Sequence, residues 1–189
     1  MRRVLTPIII IAALILGPEV HAQKSTDASE YFIKAGYIYN FAKLVGWPAT
    51  GFAKPDSPIV IGVLGDDSFA AVLGGAIDGK KIEGRGFLLK RLRWSKDGKD
   101  MKECNILFIS SSEAAHNDEV IQILKGTSTL SIGDTAGFAK RGGIINFVLE
   151  DSNVRFEINL ESAKQADLNI SSRLISVAKI VKPESHGDR

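Results

Sequence analysis

Apolar positions recur along the chain with two periods, and the switch between them marks out the elements. From about Ser29, Ile33, Tyr37, Ile38, Phe41, Leu44 and Val45 fall at three- and four-residue spacing, predicting an amphipathic helix with Ser29 as its N-cap. Residues 23–30 before it are polar and read as flexible. Gly46-Trp47-Pro48 stops the helix, because proline disfavours helical geometry in the residue before it. Ile59–Leu64 is a continuous apolar run, the pattern of a strand covered on both faces. A short helix follows over Phe69–Ile77. Further strands are expected over Phe87–Leu92, Asn105–Ser110 and Thr127–Ile132, with a helix opening at Ser110–Glu113 and running to about Lys125, Ile121 and Leu124 inward.

The last third is patterned differently. Gly133–Gly143 reads as a long loop, and Ile144–Leu149 and Val154–Asn159 as a β-hairpin joined by the polar turn Glu150-Asp151-Ser152-Asn153. In the second arm Val154, Phe156 and Ile158 face one way and Arg155, Glu157 and Asn159 the other. A long helical segment is expected from there towards Val181, and residues 183–189 read as a polar, disordered tail. Strands separated by helices imply an α/β fold of three layers. Its sheet is mainly parallel, with helices on both faces and the antiparallel hairpin added at one side.

The first residues change the picture from a fold to an exported one. Arg2 and Arg3, the apolar run Ile8–Leu16, Pro18 and Val20-His21-Ala22 form a secretory signal, residues 1–22, with cleavage expected after Ala22. The apolar core is shorter than the ~20 residues a membrane span needs. The remainder, residues 23–182 plus the tail, is a single domain. It carries 22 basic and 21 acidic residues, and a net charge of +1 gives no reason to expect nucleic acid. Cys104, the only cysteine, rules out an intrachain disulfide and reads as a small buried residue at the start of a core strand. One cysteine and scattered histidines make no metal-ligand spacing.

Candidate chemistry is thin. Gly62–Asp67 lies between a strand and a helix but matches neither the dinucleotide fingerprint nor the P-loop, so helix capping accounts for its aspartates. Ser110 with Glu113 matches a capping box, and no base is placed to activate a serine. Arg141-Gly142-Gly143 reads either as an anion-holding nest or as backbone freedom before the hairpin. Trp47, Trp94, Tyr37 and Tyr39 read either as core or as one apolar groove. No catalytic residue, metal or cofactor is assigned. For a partner surface the candidates are Glu150, Arg155 and Glu157 on the polar hairpin face, with Phe138 and Arg141 in the loop before it, since loops and edges carry contacts that strands hold in place.

Several blocks taken in order carry a resemblance: Lys34–Lys43 with Trp47-Pro48, Ile61–Asp67, Cys104–Glu113 and Gly137–Val181. Together with the export signal they resemble the YfiR family of bacterial periplasmic proteins, across nearly the whole domain. The resemblance implies regulation: such a protein binds the periplasmic sensor region of an inner-membrane diguanylate cyclase and holds it inactive. It also implies a homodimer, and an OmpA-like outer-membrane lipoprotein that sequesters the repressor. A redox-responsive disulfide, which some members carry, is excluded here by the single Cys104. A small-molecule binding or sensing module is the alternative function.

Overall fold

The computed structural model describes residues 19–184, with side chains from residue 28. Most of the expected signal segment, residues 1–18, and residues 185–189 of the expected tail lie outside the described residues. The first helix, α1, spans Glu19–Leu44 and therefore starts ten residues before the expected N-cap, Ser29. Its early part is polar, but it contains no glycine or proline and is rich in residues with good helix propensity, so nothing breaks the helix there. The expected cleavage position after Ala22 falls inside α1.

One seven-stranded sheet forms the centre, in the order β3-β2-β4-β5-β6-β7-β9. Its strands are β2 (Ile59–Leu64), β3 (Phe87–Leu92), β4 (Ile106–Ile109), β5 (Leu130–Gly133), β6 (Ile145–Glu150), β7 (Asn153–Asn159) and β9 (Lys179–Val181). Pairings from β3 across to β6 are parallel, β6–β7 is the antiparallel hairpin, and β9 adds parallel to β7. A separate two-stranded sheet pairs β1 (Val45–Gly46) with β8 (Asn169–Ile170). The hairpin turn is tighter than expected: Glu150 pairs with Asn153, leaving only Asp151 and Ser152 in the loop, at φ 49° and 62°. Positive φ at both central residues is what a two-residue loop needs to match strand twist.

Helices cover both faces. On one, α1 and α2 (Asp67–Ile77) bury Ile61, Val63, Phe108, Ile132, Phe147 and Phe156. On the other, α3 (Lys99–Lys102), α4 (Asn117–Ile123) and the loop carrying Phe138 bury Leu64, Leu107 and Ile109. The expected face holds at Tyr37, Ile38, Phe41 and Leu44, but Ile33 is 46% exposed with Lys34 buried beside it instead, and Val45 lies past the helix in β1.

The C-terminal segment differs most from expectation. In place of one long helix there are α5 (Leu160–Gln165), β8, α6 (Ser172–Ile175) and β9. Asp167 adopts φ 55°, which an α-helix cannot continue through, and Ser171 recaps the chain by accepting from the Leu174 N–H. Past α6, Pro183 and Glu184 run along the loop after β5, where the Glu184 N–H donates to the Lys140 carbonyl at 2.9 Å.

Candidate functional site

The hairpin residues singled out from the sequence separate into two environments. Glu150 and Arg155 are exposed at the outer end of the polar face. Glu157 is largely buried, with Lys179 Nζ 3.3 Å from its carboxylate, and the same lysine lies 3.9 Å from Glu150. Further in, the buried Asn146 opposite Glu157 makes no side-chain hydrogen bond, whereas Asn159 is fully engaged. Asn159 donates from Nδ2 to the Ala139 carbonyl at 2.8 Å, while its Oδ1 caps α5 by accepting from the Ser162 N–H at 3.0 Å.

Phe138 is not a surface contact. It is fully buried, and its ring fills the space where a Cβ at Gly133 or Gly143 would stand. Burying a phenylalanine is worth about 1.5–3 kcal/mol, so this side chain closes the core. Arg141 is half-buried and folds back, with Nη1 donating to the Ala136 carbonyl at 3.0 Å and Nε 3.4 Å from Asp118 on α4. The structure thus brings Glu150, Arg155, Glu157 and Lys179 together and leaves Phe138 and Arg141 elsewhere. The four candidate groove aromatics also part. Tyr37 packs among Phe41, Phe147 and Phe156, Tyr39 lies against Phe87, Trp47 against Phe52, and Trp94 stacks on His116.

The strand order brings together two segments that the sequence reads only as caps, Gly62–Asp67 and Ser110–Glu113. β2 is flanked by β3 on one side and β4 on the other, so the winding reverses between β2 and β4. In open α/β sheets ligands bind in the crevice at the carboxyl ends of the strands at that reversal. Here the chain's own side chains fill it. Gly65 leaves β2 at φ 89°, and a Cβ there would collide with Glu113 Cγ and Ser112 Oγ. Ser112 Oγ donates to the Gly65 carbonyl at 2.9 Å, and Asp66 caps α2 by accepting from the Phe69 N–H at 2.9 Å. Ser110 caps the turn Ser111–His116 as expected, accepting from the Ser112 N–H. Glu113, however, does not complete a capping box. It pairs with His116 Nδ1 at 2.8 Å, and that ring lies stacked 4.3 Å from Trp94. His116 is therefore held on both sides, by Glu113 and by Trp94.

Beside this plug, α1 is tied to the end of β5. Lys34 is buried and bridges Glu30 at 2.6 Å and Asp134 at 3.1 Å, with its ammonium 5.7 Å from the Phe147 ring centre. Burial pushes the Asp134 carboxyl up from its ordinary value; Lys34 and the Ser111 N–H act against that shift. Tyr31 donates to Asp66 at 2.5 Å from the same stretch of α1. The one sequence signal for this network is Lys34 itself, a lysine on the stripe shared with Ile38 and Phe41. On the opposite face, a cavity of about 360 Å³ opens between α4, α5 and the Arg141-Gly142 loop, with Thr129, Ser131, Glu161 and Gln165 among its lining. Among the described residues no cluster of His, Cys, Asp or Glu is arranged to hold a metal, and no helix is long and apolar enough to cross a membrane.

The family model described as YfiR/HmsC-like matches residues 31–179. The chain belongs to the YfiR/HmsC-like family. That family is one of periplasmic regulatory proteins in the context of cyclic di-GMP. No curated protein matches the chain. Two solved structures share its fold at low identity. One, the ABC domain in complex with L-Trp from Streptococcus pneumonia, is 12% identical, with 65% of this chain and 55% of that chain covered and a TM-score of 0.50. The other, a conserved domain protein from Vibrio cholerae, is 13% identical, with 65% and 54% covered and a TM-score of 0.51. The chain thus spans about half the length of the structures it matches.

Proposed function

We propose that this protein is a periplasmic repressor that binds the periplasmic sensor region of an inner-membrane diguanylate cyclase and holds the cyclase inactive. The observation that carries this reading is the family match over residues 31–179. The filled crevice at the winding reversal supports it, because Ser112 and Glu113 stand where a small ligand would enter. The partner-binding surface in this reading is the exposed end of the hairpin, Glu150 and Arg155, with Glu157 held behind them by Lys179. Release would come from an OmpA-like outer-membrane lipoprotein, and the acting form would be a homodimer. The test is co-purification of the mature domain with a membrane diguanylate cyclase from the native envelope. Recovery of the cyclase supports the reading, whereas repeated isolation of the domain without one contradicts it. A charge reversal, Arg155→Glu, should weaken that capture while leaving the melting temperature unchanged; equal capture removes Arg155 from the surface.

A second reading, a periplasmic small-molecule sensing module, is favoured by the cavity of about 360 Å³ beside Arg141. A saturating ligand must raise the melting temperature of the domain. A thermal-shift screen of nucleotides and aromatic metabolites in which nothing stabilises the protein removes this reading.

A further inference from the structure

We infer that the edge strand β3 is a docking site for an acidic, extended segment of a partner protein, which adds to the sheet as an eighth strand. Two independent observations point there.

The first is the charge distribution. Residues 19–184 hold 21 basic and 21 acidic residues, and nine of the basic but only three of the acidic fall between positions 80 and 102. That stretch, net +6, is β3 and the loops on either side of it; the rest of the described chain is net −6. Among the described residues only Lys90 of the nine makes an ion pair, to Glu103 at 2.7 Å. Arg91, Arg93, Lys96, Lys99 and Lys102 are exposed.

The second is the backbone. β3 ends the sheet, so among the described residues no strand covers its outer side. The Ile59 N–H donates to the Gly86 carbonyl and the Gly65 N–H to the Leu92 carbonyl. In a parallel ladder these two bonds fix the phase: even-numbered residues of β3 bond inward, and Phe87, Leu89 and Arg91 turn their N–H and C=O groups outward. An added strand pairs with those three residues and sets its side chains against the basic flanks, as strand addition at an open edge requires.

Lysine and arginine on an edge also serve to repel stray strands. A blocked edge, however, does not need Leu88 in its middle, and Leu88 is 45% exposed. Nor does it need the charge excess to continue through the loops on both sides of the strand. The inference is independent of the partner proposed above, because β3 and the hairpin lie at opposite sides of the sheet.

The experiment uses the purified mature protein, isotope-labelled for NMR. The probe is a short capped peptide of alternating glutamate and valine, compared with the same peptide N-methylated at alternate backbone positions. The expected result is saturable shifts at the Phe87, Leu89 and Arg91 amides, weakened at least about fivefold when salt rises to about 0.5 M and lost with the N-methylated peptide. Arg91→Pro removes an outward N–H without touching the inward ladder, a position where edge strands tolerate proline. It should bind about tenfold more weakly than Arg91→Gln, which loses the same charge but keeps the N–H. Absence of shifts at these amides, indifference to N-methylation, or equal binding by the two variants each overturns the inference. Binding to phosphatidylglycerol vesicles but not to the peptide also overturns it, and assigns the basic edge to a membrane surface instead.

Discussion

Cys104 shows how far burial alone determines a residue's chemistry. It is 3% exposed, and burial pushes its thiol up to about 12. A thiol that stays protonated at neutral pH is a poor nucleophile and a poor partner for disulfide exchange. We predict that Cys104 resists a thiol reagent such as DTNB in the native protein and reacts at once in denaturant; rapid native reaction would reopen a redox role. Phe138 makes the opposite case, a candidate contact that packing claims for the core. Phe138→Ala should cost about 3–5 kcal/mol of stability, the cost of emptying a large buried site. A variant with unchanged stability but impaired partner binding would return Phe138 to the surface. Asp134 carries one buried, pH-dependent contribution. Its folded-state value is raised, so its contribution to stability is fully present below the ordinary value of about 3.9 and is lost as pH rises through the raised one. Asp134→Asn should therefore gain on the wild type between pH 4 and pH 7.5 in a melting-temperature series. The reverse trend would mean that the pairing with Lys34 outweighs burial.

Among the elements, the β-strands were the most legible. Ile59–Leu64 and Phe87–Leu92 are strands over those bounds; the first is an apolar, β-branched run covered on both faces, and the second keeps strand pairing to it although Lys90 and Arg91 interrupt its apolar residues. The hairpin register follows from the alternation of Val154, Phe156 and Ile158. What local pattern could not reveal depends on distant partners. β8 exists because Asn169 and Ile170 meet Gly46 and Val45, more than a hundred residues away in sequence, and no periodicity within 160–181 signals that. The start of α1 was misplaced for a different reason: polarity suggested flexibility, whereas propensity without a breaker continues the helix. At the hairpin turn, Ser152 holds a positive φ without being glycine. Ser152→Gly should raise stability by about 0.5–1 kcal/mol by relieving that backbone, read as a shift in the denaturation midpoint. A loss of stability would show that the serine side chain contributes more than its backbone costs.

At the scale of the whole molecule, side chains fill the winding reversal, and among the described residues no strand covers the outer side of β3. Ser112 and Glu113 fill the winding reversal beside Gly65, with Glu113 held by His116, and Lys34 ties α1 across the end of β5 through a pairing with Asp134 one hundred residues away. Neither interaction is visible in a linear sequence. The basic edge at β3 is visible there, since its residues are contiguous, but a whole-domain charge of +1 conceals it. At that reversal the chain's own Ser112 and Glu113 take up the space beside Gly65. The central claim, repression of a cyclase, is tested most directly by measuring cyclic di-GMP in the native cell with the gene deleted. The level should rise in the deletion strain and return when the gene is restored. A level that stays at the wild-type value in the deletion strain would contradict the account.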